Sequence, residues 1–211
     1  MKHCSLPCAF VITFAFLCVG EVAGQTLLSF RGGASLSTFA GADANDVDSR
    51  TGLNIGAALT FAVSGNLGVQ VGAAYIQKGS KAAVQAIRTK TALNYIDIPV
   101  LLRIGIPKAV GISPHVLVGP TVSMKVVCTL HLYSPSVTSS KPCSEGDAHF
   151  KSIDVGATAG IGLDIARSRS MSVTVDVMHN LGLTSIDESG DALDVKNRAW
   201  SLLAGVEIPV R

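Results

Sequence analysis

The sequence predicts an all-β protein, an eight-stranded antiparallel up-and-down transmembrane β-barrel behind a cleaved signal peptide. Three observations carry this. An alternation of apolar and polar residues returns eight times after residue 25. The connectors between these runs are long and short by turns. Charged residues make up only 15% of the chain, against about 25% in a soluble domain.

The first element is the leader. Met1, Lys2 and His3 make a short cationic start, and an apolar core follows from Leu6 to Val19. Val22, Ala23 and Gly24 present modest side chains where a signal peptidase reads. Residues 1–24 are therefore expected to be a signal peptide cleaved after Gly24, and residues 25–211 the barrel domain. The apolar run falls short of the roughly 20 residues that a membrane-spanning helix needs.

The strands follow in order. The first sets Leu28, Phe30, Ala34 and Leu36 against Ser29, Arg31, Gly33 and Ser35. The second sets Leu53, Ile55, Ala57, Leu59 and Phe61 against Asn54, Gly56, Ala58 and Thr60. Ser64, Gly65 and Asn66 then turn the chain. The third sets Leu67, Val69, Val71, Ala73 and Tyr75 against Gly68, Gln70, Gly72 and Lys78. The fourth sets Ile96, Ile98, Val100, Leu102 and Ile104 against Tyr95, Asp97, Pro99 and Arg103. The fifth sets Val116, Val118, Val122, Met124 and Val126 against His115, Gly119, Thr121, Ser123 and Lys125. The sixth is the cleanest: Ile153, Val155, Ala157, Ala159, Ile161, Leu163 and Ile165 alternate with Asp154, Gly156, Thr158, Gly160, Gly162 and Asp164. The seventh sets Met171, Val173, Val175 and Val177 against Ser172, Thr174, Asp176 and Asn180. The last sets Trp200, Leu202, Ala204, Val206, Ile208 and Val210 against Ser201, Gly205 and Glu207. A period of two means a strand with two unlike faces. About 9–11 tilted residues cross a bilayer in this form.

The long connectors fall at residues 40–50, 79–91, 129–150 and 184–198, and shorter ones lie between. Short periplasmic turns and long outer loops give this asymmetry. Backbone groups have no water partner in hydrocarbon, so such a sheet must close on itself. Eight strands leave an interior just wide enough for side chains. The apolar set then faces lipid, with Phe30, Phe61, Tyr75 and Trp200 as candidates for the interfacial girdle. Small residues on the inward face relieve crowding.

The inward set collects Arg31, Lys78, Arg103 and Lys125 with Asp97, Asp154, Asp164, Asp176 and Glu207. Isolated buried charges are very costly, so these are expected to pair into a polar, salt-bridged plug and not to line an open channel. A water-soluble ligand-binding barrel would instead want an apolar interior.

Export also frames the cysteines. Cys4, Cys8 and Cys18 belong to the leader. Cys128 and Cys143 remain as an even pair bracketing a loop rich in Ser, Pro and Lys, and a disulfide is expected between them. Two free thiols or a metal pair are the alternatives, but only His131 is near, and a metal site wants more ligands.

The run Asn94, Tyr95, Ile96, Asp97, Ile98, Pro99, Val100, Leu101, Leu102, Arg103 resembles a strand of the outer membrane protein β-barrel domain family of Bacteroidetes-type bacteria, whose members are called PorT-like or porin-family proteins. Val118, Gly119 and Pro120, and the Gly156 to Gly162 run, resemble that family's later strands. The resemblance covers most of residues 25–211. It implies a bacterial outer-membrane location and no defined substrate. Family members often end in an aromatic residue, whereas this chain ends Ile208, Pro209, Val210, Arg211.

Little in the chain points to catalysis. His115, His131, His149 and His179 form no metal spacing, and no Gly-x-Ser-x-Gly elbow occurs. No cofactor is expected. His179, Asp176 and Ser185 could be imagined as a lipid-hydrolysing set at the barrel rim. Lys81, Arg88 and Lys90 could sit on a short amphipathic helix touching anionic lipopolysaccharide, or in a solvated loop. The formal net charge of +2 gives no footprint for nucleic acid. The expected partners are outer-membrane lipid and, beyond it, lipopolysaccharide or other envelope proteins. The expected form is a monomer with a structural or surface-contact role. A narrow passive pore is the second possibility.

Overall fold

The computed structural model describes residues 26–44, 47–84, 87–106, 111–145, 150–168, 170–188 and 193–210. The expected leader, residues 1–24, and His149 lie outside them. Among the described residues nine antiparallel strands form: β1 (Thr26–Ala40), β2 (Val47–Ser64), β3 (Leu67–Val84), β4 (Ile87–Gly105), β5 (Ile112–Tyr133), β6 (Thr138–Pro142), β7 (Ile153–Ser168), β8 (Met171–Gly182) and β9 (Lys196–Val210). The hydrogen-bonded order is β4-β3-β2-β1-β9-β8-β7-β5-β6, and a further β4–β5 pairing joins the two sides. Eight strands therefore make a closed ring, and β6 is a short addition that pairs only with β5. Closure leaves no free edge within the ring, which is what hydrocarbon demands.

Thr26 pairs with Val210, so the first and last strands meet in register. The turn after β2 is tight, with Gly65 at φ 49°, where a residue without Cβ is favoured. Parity sorts the side chains. Phe30 is 51% exposed, Ile161 65% and Leu202 58%, while Ser29, Thr174 and Asp176 are fully buried. Among the girdle candidates Phe30, Phe61 and Trp200 are exposed and Tyr75 is half-buried.

Two details depart from the sequence reading. Residues 79–84 and 87–91 lie in strands, not in the expected loop or helix. β3 runs to Val84 and β4 starts at Ile87, paired Lys81 to Lys90 and Val84 to Ile87. Strand pairing gives the described backbone here its hydrogen-bond partners on β3, β4 and β5, and β4 and β5 reach 19 and 22 residues. Second, parity changes within β5. Tyr95 pairs with Lys125 but Asn94 pairs with Val127, so one residue bulges out. Val126 and Val127 are both exposed, and Cys128 turns inward against the core opposite Leu93. There it meets Cys143, 5.4 Å away between Cα atoms, in the expected disulfide. The expected Cys128–Cys143 loop thus holds the β5–β6 hairpin and a one-turn 3-10 segment (Cys143–Glu145).

Candidate functional site

The barrel interior brings most of the predicted charges together. At the end bearing the short turns they close into a ring. Arg31 lies 3.0 Å from Asp176, Asp176 2.9 Å from His115 Nε2, and His115 Nδ1 3.3 Å from Asp164. Asp164 bonds Arg103, Arg103 donates to Glu207 at 2.8 Å, and Glu207 returns to Arg31 at 4.0 Å. All six residues are nearly or fully buried. Two guanidiniums face three carboxylates, so the ring is electrically balanced when His115 carries both ring protons. Its two nitrogens each face a carboxylate oxygen, which suits two donors. Gln70 accepts a further bond from Arg31 at 2.8 Å.

Glycine makes this ring possible. Gly162 lies in β7 between His115 on β5 and Asp176 on β8. A Cβ there would sit 2.0 Å from Asp176 Oδ1 and 2.4 Å from His115 Nε2. Removing that atom lets the imidazole reach across a whole strand. Arg31 likewise has Gly56 and Gly205 as its two cross-strand neighbours.

Further along the lumen Lys78 is fully buried. Its ammonium lies 2.9 Å from Asp97, donates to Ser123 at 3.0 Å and Asn180 at 3.4 Å, and stands 5.1 Å from the centre of the Tyr95 ring. Asn180 in turn donates to Thr158, which shares a hydrogen bond with Thr121. A cavity of about 80 Å³ lies between the two charged groups, lined by Arg31, Asn54, Asp97, Thr158 and Asn180 among others. Its lining is mostly apolar, with those five among its polar groups, and it exceeds the about 10–15 Å³ that a water needs. A wider vestibule of about 390 Å³ opens at the turn end, floored by Arg103, His115, Asp164 and Glu207.

Two predicted members stand apart from the ion pairs. Asp154 is held by neutral donors, Asn197 and Thr184, each at 2.9 Å. Lys125 donates to the carbonyl of Phe150. Both lie where the outer loops come down, so loop groups reach them first.

Sequence reasoning missed two features. His115 lies on the polar parity of its strand, but nothing in the sequence marks it as the bridge between Asp164 and Asp176. The other is an apolar lid. Ile76, Leu93, Tyr95, Ala199 and Ile186 are buried together, with Phe39, Phe150, Val195 and Cys128 packed against them. Ile186 belongs to the β8–β9 loop. It is pinned by Ile186 N–H to Val195 O at 2.8 Å and by Lys151 N–H to Ile186 O at 2.7 Å. The loop end of the barrel is thus stoppered with hydrocarbon, contrary to a lumen that is polar throughout. Isolated apolar residues in polar loops, Phe150 and Ile186, are the only trace in the sequence.

The imagined hydrolase set does not assemble. Asp176 points inward to Arg31 and His115, whereas the His179 ring stacks on Trp200 at 4.1 Å on the outward parity. The Ser185 hydroxyl donates to Leu193 O at 2.6 Å. Among the described residues no group of three or more His, Cys, Asp or Glu is placed to hold a metal ion, and no helix is long and apolar enough to cross a membrane.

A closed antiparallel ring with an oily outside and an ion-paired inside defines the class of outer-membrane β-barrels. The chain belongs to the outer membrane protein beta-barrel domain family, whose model matches residues 23–188. That membership implies the outer membrane as its location. No curated protein matches the sequence. Among solved structures it is similar to Neisserial surface protein A, with 12% identity and a TM-score of 0.51 over 87% of this chain and 97% of that one. This likeness shows the fold alone. Other similar structures are the Escherichia coli outer membrane protein W, at 15% identity and TM-score 0.47 over 90% of this chain and 100% of that one, and the outer membrane enzyme PagL, at 15% identity and TM-score 0.40 over 86% and 99%.

Proposed function

We propose that this is a non-enzymatic, non-conducting barrel that acts at the cell surface through its outer extension, as a structural or surface-contact protein of the envelope. The observation that carries the reading is the doubly closed lumen. The ion-paired ring fills one half and the Leu93, Tyr95 and Ile186 lid stops the other. Every cation in the ring is held by at least two partners, so a passing ion would have to displace buried pairs. The extension of β3, β4 and β5 beyond the roughly 9–11 residues needed to span, with the short β6 paired to β5, gives a rigid wall for contact, and recognition belongs on such outer segments. The Tyr95 to Arg103 strand supports a place among the PorT-like members of the family. Export with cleavage after Gly24 and a monomeric state complete the proposal.

The test is single-channel recording in planar lipid bilayers with the refolded chain. A silent bilayer is expected, together with the heat-modifiable gel mobility of a folded barrel. Resolved, reproducible current steps would reject the reading in favour of a narrow pore. N-terminal sequencing of the protein from outer-membrane fractions should begin at Gln25.

A further inference from the structure

The outward face of the β3–β4–β5 extension carries three cations, Lys81, Arg88 and Lys90, that form no ion pair among the described residues. Residues directly opposite in a sheet share a face. Lys81 pairs with Lys90, Lys90 with His131, Ala83 with Arg88, and Arg88 with Tyr133. On β4 the alternation from the inward Tyr95 and Leu93 puts Lys90 and Arg88 on the other side, the side of the lipid-facing Ile96 and Ile98. Lys81 and Arg88 are exposed and Lys90 half-buried. Like charges directly opposite destabilise a sheet, yet Lys81 faces Lys90, and among the described residues no ion pair is found for Lys81, Arg88 or Lys90. Among the described residues, Asp48 lies opposite Lys81 without an ion pair to it. His131 and Tyr133 stack beside them, 6.3 Å apart at 16°, and His131 shares a hydrogen bond with Ser140.

The level of this row matters. Lys90 and His131 each lie four residues beyond the outward Asn94 and Val127, which cap the apolar belt on their strands. At about 3.4 Å per residue and a tilt near 45° they stand roughly 10 Å above it. Long cationic side chains reach back to the interface. This is the depth of lipid headgroups.

We propose that this face binds the phosphate groups of the outer-leaflet glycolipid through Lys81, Arg88 and Lys90, with the His131–Tyr133 stack as a platform for its sugar. The inference rests on the surface-contact reading above and supplies its ligand. Phosphate between Lys81 and Lys90 would turn the like-charge conflict into attraction, and would fix the barrel in the asymmetric leaflet.

The test uses the refolded full chain in neutral detergent micelles doped with bisphosphorylated lipid A, with its dephosphorylated counterpart, or with soluble inositol hexakisphosphate, and reads binding by native mass spectrometry. The variant is Lys81→Gln, Arg88→Gln, Lys90→Gln, which touches neither the ring nor the lid; heat-modifiable mobility checks its fold. About fivefold per cation near an anionic surface predicts a loss on the order of 100-fold. Lys90→Arg should keep binding, and added salt should weaken it. Equal binding of the dephosphorylated lipid, or unchanged binding by the triple variant, overturns the proposal. So does a preference for the soluble polyanion. A failed lipid experiment beside a silent bilayer would remove this ligand and leave the closed-barrel reading in place.

Discussion

Around Arg31 and Arg103 the lumen is held by charge, and around Leu93 and Ile186 by hydrocarbon. The first region is built only from ring strands, whose register brings each partner to a set place. There a buried charge can be met by an opposite one at hydrogen-bond distance. The second region is where strands hand over to loops. Loop segments cannot hold a carboxylate to such tolerance, and apolar contact is non-directional. At the boundary, Asp154 and Lys125 take neutral partners, Thr184 and the Phe150 carbonyl from the loops and Asn197 from the start of β9. The difference teaches that this barrel uses directional chemistry where the sheet supplies precision and non-directional packing where it does not.

The largest expected effect comes from Asp176→Ala, which strips both Arg31 and His115 of a buried counter-charge. Breaking such a pair costs about 3–5 kcal/mol, to be read as a lowered urea midpoint of the folded band. If the loss is under about 1 kcal/mol, the ring does not hold this half together. Next is Ile186→Ala. A buried Ile truncated to Ala costs about 2–5 kcal/mol, but here the loss should stay in the lid. Amide exchange over residues 183–188 and 193–195 should speed up while the ring strands remain protected. Global destabilisation would mean that the lid and ring are one cooperative unit.

Gly162→Ala is expected to cost about 1–3 kcal/mol, the usual penalty of forcing an extra carbon into a packed site. The added Cβ must push Asp176 and His115 apart. Ala at the neighbouring outward position Ile161, which is 65% exposed, should disturb the ring far less, and this pair of variants separates crowding from general strand effects. The smallest effect lies on the loop itself. The Lys196 ammonium, 2.7 Å away, holds the Asp194 carboxyl below its ordinary range. A carboxylate with a depressed folded value adds stability above its unfolded pKa and loses it as pH falls through the folded one. The contact should therefore weaken only in acid below about pH 4, and Lys196→Gln should move the Asp194 carboxyl resonance titration upward. A titration unchanged by Lys196→Gln would discount this contact.

Much of the ring was legible. Arg31, Asp164, Asp176, Arg103 and Glu207 announce themselves as charges on the polar parity of oily strands, where nothing but an opposite charge can satisfy them. His115 did not, because a lone histidine on an inward face has many ordinary fates; only the alignment of β5, β7 and β8 around Gly162 gives it two carboxylates. The charges Lys81, Arg88 and Lys90 read as a solvated connector, while the strands they lie in are made by β3 pairing with β4 and by β5 on the far side of β4, which no local pattern announces.

The alternation in residues 26–210 determined by itself that this chain is a closed sheet with lipid outside and charge within, because a period of two leaves each side chain only two directions and hydrocarbon tolerates no free edge. Which charge meets which, where β5 bulges to carry Cys128 inward, and how Ile186 comes to stopper the outer end were decided in three dimensions. Register and loop descent join residues far apart in the chain, and a local pattern carries no information about partners that distant.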